Sequence, residues 1–248
     1  MVVQDRQQAL KARFESSRGT WSEAWESILK LNPDYFEAYL KLREAPIKKQ
    51  TLSPKIQELI LVALEAACTT LFEPGIKAHI EAALVAGATR AEVFEALELS
   101  SVLGIHAVTT GVPLLLEVLE EEGIGGTSTE FDERRQKLKA DFTAKRGYWA
   151  DTWNAVLDID PDFFEAYTEF SSVPFANNGG LLDPKVKELI YCAIDVSTTH
   201  LFGPGLKIHI RNAVRYGATK EEIMEVFELA ALMGIHTPMV AGKFLLEQ

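Results

Sequence analysis

Five histidines stand in the chain, and four of them fall in matched places. His79 corresponds to His209 and His106 to His236 in two similar stretches, while His200 stands where the first stretch has Thr70. Imidazole changes charge near neutral pH, which suits it to passing protons to and from a substrate. Packing alone seldom demands an imidazole twice, and nearby apolar positions drift between the stretches, as Leu84/Val214 and Ala96/Val226 do. The expectation is a polar pocket with two imidazoles in each half. The competing reading is a satisfied core histidine that fixes a helix crossing. Glu58 and Glu188 are also matched, and each sits among apolar neighbours, Ile56, Leu59 and Ile60 or Val186, Leu189 and Ile190. A carboxyl buried there would hold its proton more tightly and could donate or relay it. Glu65 and Asp195 follow seven residues later, on the same helix face about 10.5 Å along the axis, and are expected on a solvated edge. The candidate catalytic residues are Glu58, His79, His106, Glu188, His200, His209 and His236.

Other chemistries find less support. A helical zinc signature places two imidazoles about one turn apart, whereas His79 and His106 are far apart in sequence, so no metal is expected. Only two cysteines occur, Cys68 and Cys192, neither repeated and neither in a Cys-x-x-Cys. Dithiol redox chemistry needs paired thiols, and both cysteines read as small buried hydrophobes. Lys77 and Lys207 lie two residues before His79 and His209; residues so spaced do not share a helix face, so an inward histidine puts the lysine outside. Trp21, Trp25, Tyr35, Phe36 and Tyr39 recur as Trp149, Trp153, Phe163, Phe164 and Tyr167, a set suited to core packing or to walling an apolar pocket.

These residues are carried by a duplication. Residues 53–117 align without a gap on 183–247 at an offset of 130, and CTTLFEPGIKAHIEAALVAGAT reappears as TTHLFGPGLKIHIRNAVRYGAT. Upstream, RGTWSEAWESILKLNPDYFEAY matches RGYWADTWNAVLDIDPDFFEAY at an offset of 128, the difference falling near Asn177-Asn178-Gly179-Gly180. The chain divides into residues 1–122 and 130–248 around a Gly/Ser/Thr-rich linker at 123–129. Apolar positions recur with helical spacing and no sustained alternation. One helix is expected over 54–72, Pro74-Gly75 breaks it and opens the next, and Gly87 suits a left-handed helix end. Thr89 with Glu92, and Thr219 with Glu222, form capping boxes at the start of a long helix that runs through Gly104 or Gly234, where a kink or close helix contact is expected. The fold class is all-α, two tandem helical bundles.

Composition narrows the partners. The chain has 248 residues, 47% of them apolar, and a formal net charge of −11. No basic stripe is present to neutralise phosphates, so nucleic acid is not an expected partner. No uncharged apolar run is expected to approach the roughly 20 residues that span a bilayer, so no membrane is expected. The opening residues lack the apolar core of a secretion signal. A cytoplasmic setting follows.

The repeated residues also carry a resemblance. Glu58-Leu59-Ile60, Pro74-Gly75, His79-Ile80, Ala83, Gly87-Ala88-Thr89, Glu92 and Gly104, with their counterparts from Glu188 to Gly234, resemble the carboxymuconolactone decarboxylase and alkyl hydroperoxidase D superfamily, fused in tandem. Hydroperoxidase-like members combine a glutamate, a Cys-x-x-Cys and a histidine. Here the thiol positions hold Phe72 and Gly75, or Phe202 and Gly205. The resemblance therefore implies the decarboxylase side: a cofactor-independent lyase acting on a small unsaturated lactone acid, an anionic substrate from aromatic-ring catabolism. On this reading His209 stabilises an oxyanion, His200 or His236 delivers a proton and Glu188 orients an imidazole. The second copy, with its extra imidazole and with Arg211 and Arg215 in place of Glu81 and Val85, is expected to be the more active. The alternatives are a hydroperoxidase D-like antioxidant enzyme and a non-catalytic oligomeric binding protein. Family members form rings, which implies a homo-oligomer, a trimer of tandem chains.

Overall fold

The computed structural model describes residues 2–124, 130–176 and 180–247, and they are helical with no strand among them. Most of the linker and of the Asn-Asn-Gly-Gly segment lies outside the described residues. The first copy comprises α1 (Val2–Ser16), α2 (Glu23–Leu31), α3 (Pro33–Lys49), α4 (Pro54–Ala66), α5 (Glu73–Val85), α6 (Arg90–Ser101) and α7 (His106–Glu121). The second comprises α8 (Glu133–Arg146), α9 (Thr152–Ile159), α10 (Pro161–Ser172), α11 (Pro184–Val196), α12 (Gly203–Arg215), α13 (Lys220–Ala231) and α14 (His236–Leu246).

The local signals act as their chemistry requires. Asn32 and Asp160 accept from the backbone N–H three residues on, with Pro33 and Pro161 opening the helices that follow. Both capping boxes form, and Gly87 and Gly217 take φ of +92° and +85° at the ends of α5 and α12. The helix expected over 54–72 ends sooner, at Ala66. The chain then turns through Leu71 at φ +45°, and the Phe72 N–H donates to the Glu65 carbonyl at 3.0 Å. Cys68 lies in this turn and is exposed, unlike the buried Cys192.

The expected long helix is interrupted as well. Val102–Ile105 and Leu232–Ile235 form 3₁₀ turns, so His106 and His236 begin new helices. A Cβ on Gly104 or Gly234 would meet nothing within 4 Å, so these glycines mark a change of helix type and not a close contact. By length and composition alone the runs Arg90–Glu121 and Lys220–Leu246 are apolar enough to cross a membrane, so the chain does hold apolar runs that approach the spanning length. Ser, Thr and His break up the apolar character to the eye but carry no formal charge. Here each run bends at its 3₁₀ turn and supplies a wall to a site.

Packing crosses the midpoint of the chain. α4 and α11 lie at the centre, where Leu59, Ile60, Val62 and Ala63 share one core with Leu189, Ile190, Cys192 and Ala193. Two buried carboxylates tie the copies reciprocally. Glu95 accepts from the Leu181 and Leu182 N–H groups at 2.7 and 2.9 Å and pairs with Lys187 at 2.8 Å. Glu225 accepts from Gln57 Nε2 at 2.6 Å and from Leu52 N–H at 3.3 Å. The last helix of each copy then leaves its own bundle. Ile235 and Met239 pack among Leu10, Phe14, Trp25 and Phe36, while Ile105, Val108 and Val112 pack among Phe142, Trp153 and Phe164. Burying such apolar side chains is worth about 1.5–3 kcal/mol each, enough to hold the exchanged helices in place.

Candidate active site

The exchange decides which histidines meet. His79 is joined by His236 of the other copy, and His209 by His106, so each pocket has two imidazoles but neither copy supplies both of its own. Two composite sites result.

In the first, His79 Nδ1 donates to Glu58 Oε2 at 2.8 Å, which directs Nε2 toward Glu65 Oε1 at 3.9 Å. His236 Nε2 donates to the same Glu65 oxygen at 2.9 Å. Glu58–His79 and Glu65–His236 thus form two hydrogen-bonded pairs, with 3.9 Å between His79 Nε2 and Glu65 Oε1. Glu65 is 2% exposed, not on a solvated edge, and its Oε2 has no hydrogen-bond partner. The turn after α4 folds the start of α5 over this carboxylate, where a Cβ on Gly75 would fall 2.5 Å from it. Glycine at 75 is therefore a requirement of the approach.

The two pairs face a cavity of about 360 Å³ walled by Phe14, Trp25, Tyr39, Leu61, Phe72 and Met239. Phe72, at the first thiol position of the hydroperoxidase pattern, stacks on His236 with centroids 4.2 Å apart. Arg18 bridges to Glu58 at 3.3 Å and also bonds Gln57. Arg43, held by Ser17 and lying over the Phe14 ring, adds a second guanidinium, lowered from its ordinary value by burial. Burial also raises the Tyr39 phenol, partly opposed by Arg43, so its hydroxyl keeps its proton as a donor. Lys77 is exposed near the mouth, as Lys207 is in the other copy.

The second site keeps the plan and loses the space. His209 Nδ1 donates to Glu188 Oε2 at 2.7 Å, and Asn212 Nδ2 lies 3.5 Å from Oε1. Tyr148, Tyr191 and Ile208 stand where the first site has Thr20, Leu61 and Ala78, and the remaining volume is about 50 Å³. Arg146, the counterpart of Arg18, is buried and donates to the Ser171 carbonyl at 3.0 Å and to the Tyr191 hydroxyl at 3.2 Å. Arg43 has no counterpart there, the position being Ser171. The volumes therefore favour the first site, opposite to the expectation drawn from the count of imidazoles.

The second site also brings together residues that no sequence spacing joins. His106 Nδ1 shares a 2.6 Å hydrogen bond with His200 Nε2 and lies 3.8 Å from Asp195 Oδ1. Asp195 is 1% exposed, again not on a solvated edge, and its Oδ2 has no partner. Burial, with some help from Glu188 and against His209, raises this carboxyl to about 7. Burial lowers His106 to about 3, with His200 and His209 adding to the effect, and burial also lowers His200.

Sequence reasoning placed Trp25 and Tyr39 in a set that could wall an apolar pocket, and missed Glu65, Arg18 and Arg43 as cavity groups. Glu65 was legible, since it shares a face with Glu58. The arginines come from the upstream aromatic segment, whose docking only the fold reveals.

An all-α tandem repeat with paired, reciprocally built Glu/His sites defines the class. The carboxymuconolactone decarboxylase family model matches residues 33–119 and 161–241, and the chain belongs to that family. It is also similar, at 49% identity over 96% of this chain and 95% of the other, with a TM-score of 0.93, to a crystal structure described as a "putative gamma-carboxymuconolactone decarboxylase subunit" from Burkholderia xenovorans LB400. No curated protein matches the chain.

Proposed function

We propose that the first composite site is that of a carboxymuconolactone decarboxylase-like lyase acting on a small unsaturated lactone acid. The observation that carries this reading is the pair of hydrogen-bonded couples, Glu58–His79 and Glu65–His236, facing one 360 Å³ apolar cavity with two guanidinium groups. Family membership and the likeness to the Burkholderia protein support it.

Loss of carbon dioxide leaves the electron pair of the broken C–C bond in the unsaturated lactone, whose ring carbonyl takes up the charge. The substrate is its own electron sink, so the reading requires no cofactor. The protein must desolvate the departing carboxylate, stabilise the developing oxyanion and return a proton to carbon. Apolar walls perform the first task. His79, with Nδ1–H held by Glu58, donates to the oxyanion from Nε2 in its doubly protonated form, and the Tyr39 hydroxyl is a second donor. The His236–Glu65 pair supplies the proton to carbon, and Arg18 and Arg43 hold a substrate carboxylate. These assignments move the centre of chemistry from His209 and Glu188 to His79 and Glu58.

The test is a screen of unsaturated lactone acids with carbon dioxide release as readout. Turnover lost in His79→Asn and retained in His209→Asn supports the reading; the reverse pattern overturns it. The assembly proposal, a trimer of tandem chains, draws on the exposed Leu114, Leu115 and Val118 of α7 and Val240, Phe244 and Leu245 of α14. Light scattering at the mass of one chain would refute it.

A further inference from the structure

The second composite site holds a donor set that the proposed lyase chemistry does not use. We propose that His106, Asp195 and His200 form a binding site for one divalent transition-metal ion of the zinc type. One nitrogen from each imidazole and one carboxylate oxygen lie within 4.8 Å of one another. The donors come from three elements, α7, α11 and the turn before α12, and from both copies of the repeat. Borderline ions such as zinc favour two imidazoles and a carboxylate, with a fourth position left for water.

Three further observations point the same way. Asp195 is a buried carboxylate whose Oδ2, against Gly205, has no partner and whose Oδ1 faces His106 Nδ1 at 3.8 Å, beyond hydrogen-bond reach, so its burial is costly unless a cation offsets it. His106 is clamped by stacking on Phe202, with centroids 3.9 Å apart, so its ring is preset. The space remaining beside His106 and Asp195, about 50 Å³, has room for a water-sized ligand and not for an organic acid.

The geometry also says what binding must change. Around zinc, donors at 2.0–2.1 Å stand ~3.3 Å apart. The His106–His200 contact of 2.6 Å must therefore widen and the Asp195 contact of 3.8 Å must close slightly. His200 lies on the turn between α11 and α12, half-buried and not clamped inside a helix, so it is the ligand able to move. On binding, the ring that donates in the His106–His200 hydrogen bond changes tautomer, its proton moving to its other nitrogen by exchange with solvent, so that two neutral imidazoles each turn a lone pair to the metal.

The first copy supplies the internal comparison. There His236 and Glu65 correspond to His106 and Asp195, but Thr70 stands in place of His200, so two of the three ligands have counterparts and the third does not. His200→Thr therefore installs a side chain the repeat already accommodates. The experiment is titration of the metal-stripped full chain with Zn²⁺ by calorimetry, and with Co²⁺ by visible absorption. The expected result is one equivalent of either ion per chain, a cobalt d–d band of low coordination number, and binding roughly 100-fold weaker in both His200→Thr and Asp195→Asn. Circular dichroism checks that each variant is folded. Absence of saturable binding of both ions to the wild-type chain would overturn the proposal. So would undiminished binding in a folded His200→Thr chain, which would locate the ion elsewhere. Because the readouts are stoichiometry and spectrum, they are independent of whether the first site is a lyase.

Discussion

His236 Nε2 lies 2.9 Å from Glu65 Oε1, although 171 positions separate them. The bond exists because α14 leaves its own repeat and packs on α2 and the aromatic cluster of the other copy. A residue counted with the second copy thus completes the site of the first, and four expectations follow.

Glu65→Gln and His236→Asn remove the same proton-carrying pair. Each should lower kcat by ~10²–10⁴-fold, the range for a general acid–base group. The double variant should be little worse than either single one, since the residues act as a unit. Additive losses in a kinetic double-mutant cycle would show that the two act separately.

The bulk that closes the second cavity can be moved to the first. Leu61→Tyr copies Tyr191 and should abolish substrate binding at the first site while the chain stays folded. Tyr191→Leu should open the second site to a small aromatic or lactone probe, measured by calorimetry. Turnover that survives Leu61→Tyr would place the reaction outside the 360 Å³ cavity.

Gly75→Ala should destabilise the chain and lower kcat together, because the new Cβ falls 2.5 Å from a buried carboxylate. The expected cost is about 1–3 kcal/mol, typical of overpacking a tight site. Gly104→Ala meets nothing within 4 Å and should be neutral or slightly stabilising, given the helix propensity of alanine. Thermal denaturation compares the two directly.

Glu44 gives a pH-dependent term remote from both sites. Hydrogen bonds from Arg13, offset by burial and reinforced by Lys48, hold its carboxyl down at about 2. A group whose folded value lies below its ordinary 4.5 contributes stability that is complete above 4.5 and is lost as pH falls toward 2. Arg13 and Lys48 are partly in solvent, and screening reduces the contribution to about 1 kcal/mol. Glu44→Gln should therefore lower Tm at pH 7, and the gap to wild type should narrow as pH falls from 5 to 3. A gap unchanged across that range would refute the ion-pair account.

The duplication, the helical class, the caps at Thr89 and Thr219 and the family resemblance could all be read from the residues, because they rest on local chemistry and internal comparison. The sequence also marked Glu58 with His79 and Glu188 with His209, whose hydrogen bonds connect neighbouring helices of one copy. That His106 and His236 change places emerged from the packing of the two bundles. Helical periodicity says which face of α7 or α14 is apolar, but not which bundle that face will cover. The burial of Glu65 and Asp195 depended likewise on the turn that folds Gly75 and Gly205 over them, and a turn with Leu71 and Leu201 at positive φ leaves no glycine signal to read. The difference between an open and a filled cavity came from three substitutions, Thr20/Tyr148, Leu61/Tyr191 and Ala78/Ile208, scattered over two segments. Their volumes combine only where the fold brings them around one space.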